Sequence, residues 1–210
     1  MSGPPPNRHG RERTPLSLER RSPRRLPGKR LLLLASEPAL SYLEEYIAHL
    51  GMAANTLLAP MTPAMAVAEC RERLQTAGPF WRAFLIMEWD GDPAAPIHQA
   101  WREIQADTEI EGVRFLCCRP SFLLWILLHF EDPGAEAAQA AWLEQRVAHL
   151  LADRQGSLFA RTRHLLDDAL QRSQRLTRER LARQPRGTLL PAEPGSELHE
   201  LIVLLRKSAR

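Results

Sequence analysis

The sequence predicts an α/β fold: a small, mainly parallel sheet flanked by helices, with a helical C-terminal part. Three observations predict it. Apolar runs of strand length stand at 31–35, 83–87 and 113–117, with a softer one at 52–59. Each run ends in turn residues that lead into an amphipathic stretch, and alternation of this kind is the signature of right-handed βαβ crossovers. Beyond about residue 121 the pattern reads as helix, with segments near 121–130, 136–152, 157–183 and 196–207 and a Pro/Gly-containing loop at 184–195.

The first run, Leu31-Leu32-Leu33-Leu34-Ala35, is entered from Pro27-Gly28 and is apolar at every position. That suits a strand buried on both faces. Ser36-Glu37-Pro38 breaks it, with Ser36 placed to cap the next helix and Pro38 in its first turn. This helix, roughly 38–50, sets Leu40, Leu43, Ile47 and Leu50 on one side and stops at Gly51. After the soft strand at 52–59, Thr62-Pro63 opens a helix to about Gln75, with Ala64, Ala68 and Leu74 facing inward. The third run, Ala83 to Met87, ends in Glu88-Trp89-Asp90-Gly91-Asp92-Pro93. A helix from Ala94 to about Asp107 carries Ile97 and Trp101 at i, i+4, and Gly112 leads into the strand Val113 to Cys117.

Ahead of this domain, which begins at residue 30, lies an arm of different composition. Residues 1–29 hold six prolines and eight basic residues, with few large apolar side chains. Such a segment buries too little surface to offset its ordering entropy, so disorder is expected there. Residues 1–30 carry nine basic groups against Glu12 and Glu19, a balance of +7, whereas the whole chain is +3, so the other 180 residues sum to −4. The arm reads either as a solubilising leader or as a segment that touches nucleic-acid phosphates.

Composition narrows the class. The hydrophobic fraction of 44% is an ordinary globular value. The N-terminus has no apolar core of a secretory signal, and the longest apolar stretch, Phe122 to Phe130, is too short to span a bilayer. The three cysteines, Cys70, Cys117 and Cys118, have neither metal-ligand spacing nor an even count, so a reducing cytoplasmic setting is expected. Gly-rich phosphate loops, G-x-S-x-G and H-E-x-x-H are absent from the sequence.

In open α/β sheets, sites form at the carboxyl ends of the strands. Three places qualify. Asp90-Gly91-Asp92 follows a strand with Glu88 upstream, and residues two apart in extended chain point the same way. Carboxylates so placed suit Mg²⁺, which takes a few carboxylate oxygens and leaves room for water and phosphate; the alternative is a polar Asp-Gly turn. Glu37 after the first strand is a candidate general base or shared metal ligand, or else a residue that favours the positive end of a helix. Arg119 at the end of the fourth strand is a candidate phosphate contact, with Ser121 as a helix cap and His129 as a core histidine or a functional one.

The order of these motifs resembles that of the RloB-like proteins of bacterial defence loci. Arg119-Pro120-Ser121-Phe122-Leu123-Leu124-Trp125-Ile126-Leu127-Leu128-His129-Phe130 is similar to the family's N-P-x-F-E-L-W-L-L-L-H-F core. Trp89-Asp90-Gly91-Asp92 follows a strand as the family's D-x-D does, and 194–202 resembles its closing P-S-T-x-V-x-x-L-V segment. The resemblance covers roughly residues 30–205. It implies a Toprim-like fold in which a glutamate after the first strand and the D-x-D pair hold Mg²⁺ for phosphodiester cleavage. It also implies an antiviral role and an ABC-type ATPase encoded nearby as partner. On this chain the metal pair falls on Asp90 and Asp92, with Glu37 or Glu88 as acid/base and Arg119 on phosphate.

The departures are as informative. The family's first motif, E-G-E-K-T-E-P-x-Y-F, is replaced here by Leu34-Ala35-Ser36-Glu37-Pro38-Ala39-Leu40-Ser41-Tyr42, and its F-E-L-W glutamate by Leu123. Two acidic positions are absent or displaced, which lowers the ligand charge available to a metal. The chain is therefore expected to be either a Mg²⁺-dependent nuclease or a degenerate subunit that binds an ATPase partner or nucleic acid.

Overall fold

The computed structural model describes residues 30–76, 82–89, 96–106, 113–183 and 194–209. The N-terminal arm, Asp90, Gly91 and Asp92 lie outside the described residues. Five strands form one sheet in the order β2-β1-β3-β4-β5: β1 (Leu31–Ala35), β2 (Thr56–Pro60), β3 (Arg82–Glu88), β4 (Val113–Arg119) and β5 (Gly195–Ser196). The first four are mutually parallel, with Leu33 opposite Leu58 on one side and Phe84 on the other. β5 pairs antiparallel with β4, Cys118 facing Ser196.

The helices sort by the direction in which the chain crosses the sheet. From β1 to β2 it steps one way, and α1 (Ala39–His49) covers one face; from β2 over β1 to β3, and on to β4, it steps the other way. α2 (Ala66–Thr76) and α3 (Pro96–Ala106) accordingly cover the opposite face, as right-handed crossovers require. The C-terminal helices join α1: α4 (Leu123–Leu127), α5 (Ala140–Leu151), α6 (Leu158–Thr162), α7 (Leu166–Arg183) and α8 (Leu198–Ser208). β1 lies between two cores. Leu31, Leu33 and Ala35 enter the larger, while Leu32 and Leu34 enter the smaller with Ala66, Cys70 and Ile97. All five β1 residues are fully buried, so the leucine run carries no polar alternation. Truncating Leu33 to alanine would cost about 2–5 kcal/mol by cavity formation.

α1 ends as its glycine dictates. Gly51 has φ 69°, its N–H meets Ala48 O, and Met52 N–H reaches Ile47 O, both at 3.0 Å. This reciprocal pairing satisfies the last carbonyls, and glycine accepts positive φ without a Cβ clash. Its N-terminus differs from expectation. Pro38, not Ser36, occupies the cap position, and no side chain bonds from there. The Ser36 carbonyl accepts Leu40 N–H instead. α1 also turns Tyr42 and Tyr46 inward beside Leu43 and Ile47, leaving Leu40 and Leu50 only partly buried.

Three other expectations are revised. The helix opened by Thr62-Pro63 begins as a 3-10 turn, and its buried positions are Ala66 and Cys70, whereas Ala64 and Ala68 are exposed. The second strand is shorter and later than 52–59, because 53–55 form a 3-10 turn. The expected helix at 157–183 is broken into α6, a 3-10 turn at 163–165 and α7. Among the described residues no helix is long and apolar enough to cross a membrane.

Candidate functional site

The strand order reverses between β1 and β3, and in open α/β sheets the crevice at such a reversal, beyond the carboxyl ends of the strands, is where ligands bind. Ser36 and Glu37 leave β1 on one side of it. Glu88 and Trp89 close β3 on the other, immediately before Asp90-Gly91-Asp92.

Glu88 shares a face with Phe84 and Ile86, since side chains alternate along a strand. Its carboxylate is half-buried and its Oε1 accepts the Phe122 backbone N–H at 3.0 Å. Burial lifts its pKa above the ordinary range, and the Phe122 bond pulls the other way. A desolvated carboxyl with a raised pKa at a strand end is a candidate proton carrier. It also has a structural role. Glu88 sits at the start of α4, while Arg172 Nη1 donates to the Leu128 and His129 carbonyls at its end, at 2.8 and 3.0 Å. Negative charge at a helix start and positive charge at its end both match the dipole.

Glu37 goes elsewhere. It is exposed, and its Oε2 accepts the Ser41 hydroxyl at 2.8 Å and the Ser41 N–H at 3.4 Å. The side chain borders a cavity over the ends of β1 and β2, on the side of β1 away from β3. Glu88 is turned toward α4 at the end of β4. The two carboxylates have different partners, Ser41 for Glu37 and the Phe122 N–H for Glu88. Of the alternatives open for Glu37, the local helix-terminus contact is the one observed.

Arg119 comes next after Cys118, which is the register partner of Glu88. Its guanidinium lies over the Trp89 ring, 4.9 Å from the centroid, so the two residues on adjacent strand ends stack on the face opposite Glu88. Phe122, not Ser121, occupies the cap position of α4; Ser121 precedes it and its Oγ accepts Leu123 N–H at 3.3 Å.

His129 is a core residue. Its Nδ1 lies 2.9 Å from the Trp125 carbonyl, which can only accept, so Nδ1 carries the proton. Nε2 is then the acceptor for the Tyr42 hydroxyl at 3.2 Å. Burial pushes its pKa down to about 4. A neutral, fully enclosed imidazole fixed at both nitrogens is structural.

The pattern of the sequence did not point to the polar cluster beneath β5. Arg180 on α7 is buried and donates to Glu197 Oε1 at 2.6 Å, while Glu197 Oε2 accepts Cys117 N–H at 3.2 Å. Ser173 Oγ donates to the Ser196 carbonyl at 2.7 Å and meets His199 Nδ1 at 2.9 Å. The Ser173 hydroxyl proton is committed to a carbonyl and the residue is fully buried, so this pair fastens β5 to α7. The one signal available was the Pro194-Gly195-Ser196-Glu197 segment itself.

Asp90 and Asp92, the expected metal ligands, lie outside the described residues. Among the described residues no group of three His, Cys, Asp or Glu side chains is placed to hold a metal ion. The described donor nearest that pair in sequence is Glu88, whose oxygen chemistry suits a hard cation. No family model, curated protein or solved structure matches the chain.

Proposed function

We propose that this chain is a Mg²⁺-dependent nuclease of the RloB-like type, with a Toprim-like domain, serving a phage-defence or restriction-linked system in the bacterial cytoplasm. The observation that carries the reading is the position of Glu88: a half-buried carboxyl with a raised pKa, at the strand-order reversal, two residues before Asp90-Gly91-Asp92. In this reading Asp90 and Asp92 hold the ion, which supplies charge neutralisation at a phosphodiester and an activated water. Glu88 holds and moves a proton, and Arg119, kept in place over Trp89, steadies a phosphate. Glu37 is assigned no proton transfer. The test is cleavage of plasmid DNA and of tRNA with Mg²⁺ or Mn²⁺. Loss of cleavage in Asp90→Ala/Asp92→Ala supports the reading, and equal behaviour of variant and wild type overturns it.

One observation favours a second reading. Oε2 of Glu37 is taken up by Ser41, and the side chain borders the cavity over β1 and β2. A degenerate Toprim-like subunit that binds an ABC-type ATPase or nucleic acid fits that. It predicts no metal-dependent shift in melting temperature and co-purification with the ATPase encoded nearby.

A further inference from the structure

Beside the crevice lies a cavity of about 530 Å³, within the size range of small-ligand sites. It opens over the ends of β1 and β2, and Ser36 and Glu37, which follow β1, form part of its lining. Leu40, Met61 and Met65 supply apolar walls. Met65 is 57% exposed, one of the few large apolar side chains left open to solvent among the described residues. Methionine side chains are flexible and polarizable, and they adapt to flat ligands. The polar lining is Ser36, Thr62, Glu69, Arg73 and Glu37; Glu69 and Arg73 pair with each other, while Glu37 bonds to Ser41. Both of its hydrogen bonds with Ser41 fall on Oε2, so its other oxygen is the acceptor that the wall offers.

We propose that this cavity seats a nucleobase bearing an exocyclic amino group, held between Met65 and Leu40 and read by Glu37. The proposal rests on nucleic acid being the ligand of the adjacent crevice, and it holds whether or not the chain cleaves. Apolar side chains grip the faces of an unstacked base, and polar groups read its edge. A glutamate accepts from the cytosine or adenine amino group, whereas uracil carries a carbonyl oxygen where cytosine has that amino group. Glu37 is then a specificity residue, which accounts for a carboxylate at a strand end turned away from the proton-carrying Glu88.

The chain has five methionines, and that permits a direct test in the full-length protein. Methyl-labelled methionine is followed by NMR while cytidine or uridine is added in EDTA, so that metal and cleavage play no part. Met61 and Met65 resonances are expected to move with cytidine, while Met52 and Met87, buried in the two cores, stay still. Uridine should bind on the order of tenfold more weakly, the fold-change of losing one hydrogen bond to a charged group. Glu37→Gln should erase the preference, and the surface change Met65→Glu should weaken both nucleosides. No movement of Met61 and Met65 with either nucleoside, or equal affinity for the two in the wild type, overturns the proposal. Asp90→Ala/Asp92→Ala should leave these shifts intact. Shifts without any cleavage by the wild type would therefore sink the nuclease reading and leave the base site standing.

Discussion

The backbone N–H of Phe122 donates to Oε1 of Glu88 at 3.0 Å, joining the end of β3 to the start of the buried helix α4. The contact makes Glu88 both a candidate proton carrier and a fastener, and two substitutions separate the roles. Glu88→Gln keeps an acceptor for Phe122, so the fold should tolerate it while metal-dependent cleavage is lost. Glu88→Ala leaves that N–H unpaired and should cost about 1–3 kcal/mol in urea denaturation. The pH dependence has a definite sign. A carboxyl whose pKa is raised in the folded state stabilises the fold below its unfolded pKa, and that contribution fades as pH rises through the raised value. Glu88→Gln should flatten the stability profile in that window, starting near the ordinary glutamate pKa of about 4.3.

Tyr42 and His129 form the second titrating pair, with the opposite sign. His129 is held neutral, its pKa pushed down to about 4 by burial. In the unfolded chain it protonates near pH 6.5. Stability from this site is therefore complete above about 6.5 and lost progressively as pH falls toward 4, to a total on the order of 3 kcal/mol. Tyr42→Phe removes the donor to Nε2 and should cost about 1–2 kcal/mol at neutral pH. Urea midpoints of wild type and Tyr42→Phe across this range check both statements. An acid-insensitive wild type would contradict the neutral, enclosed histidine.

Much of the sheet was legible because its signals are local. The unbroken leucines of β1 announce a strand with two buried faces, and Gly51 announces a helix end through the one backbone conformation it accepts cheaply. The direction of a helix face is less legible. Tyr42 and Tyr46 won the inward positions from Leu40 because aromatic bodies fill more of the core while their hydroxyls find partners. β5 could not be read from periodicity: two residues have no period, and what fastens that edge to α7 is Ser173 on the Ser196 carbonyl and Arg180 on Glu197, contacts 23 and 17 residues apart in the chain. The end of β3 at Glu88 was legible from the apolar run that precedes it, and the rule for open sheets names that end as a candidate position. The roles within it were not, because Glu37 and Glu88 occupy equivalent positions in the chain and only their partners, Ser41 and Phe122, distinguish them.

Arg180 and Glu197 lock β5 against α7, and this pair should dominate the stability of that edge. The Arg180 side chain is 5% exposed and Glu197 22%. Among the described residues Nε and Nη1 of Arg180 have no hydrogen-bond partner, and the guanidinium is held by Glu197. Removing one partner of a buried pair strands the other, and Arg180→Ala should cost about 3–5 kcal/mol. The double change Arg180→Met/Glu197→Gln should recover much of it. Gly195 supplies an independent probe. A Cβ there would stand 2.7 Å from Arg180 Nη1, so Gly195→Ala should cost about 1–3 kcal/mol by overpacking. The two effects should be non-additive in a double-mutant cycle with Arg180→Met, since the clash disappears with the guanidinium. Additive costs would mean that the arginine does not lie against the glycine.

Arg119 and Trp89 give the prediction that bears most directly on nucleic acid. The guanidinium is held over the indole at 4.9 Å, at the end of β4 beside the crevice. If it meets a phosphate there, Arg119→Ala should weaken binding to all sequences alike and reduce the slope of log affinity against log salt by about 1. Arg119→Lys keeps the charge but loses the planar stacking, so its salt slope should match the wild type while affinity falls. Trp89→Phe retains a ring face with a weaker quadrupole and should lie between the two. The measurement is binding of a short single-stranded oligonucleotide in EDTA across a salt series, with residues 1–29 present and then deleted. Deletion should lower the slope by several units if the arm's arginines neutralise phosphates, and the Arg119 decrement should survive it. A decrement that vanished with the arm would assign the phosphate contact to the arm and leave Arg119 with its stacking on Trp89.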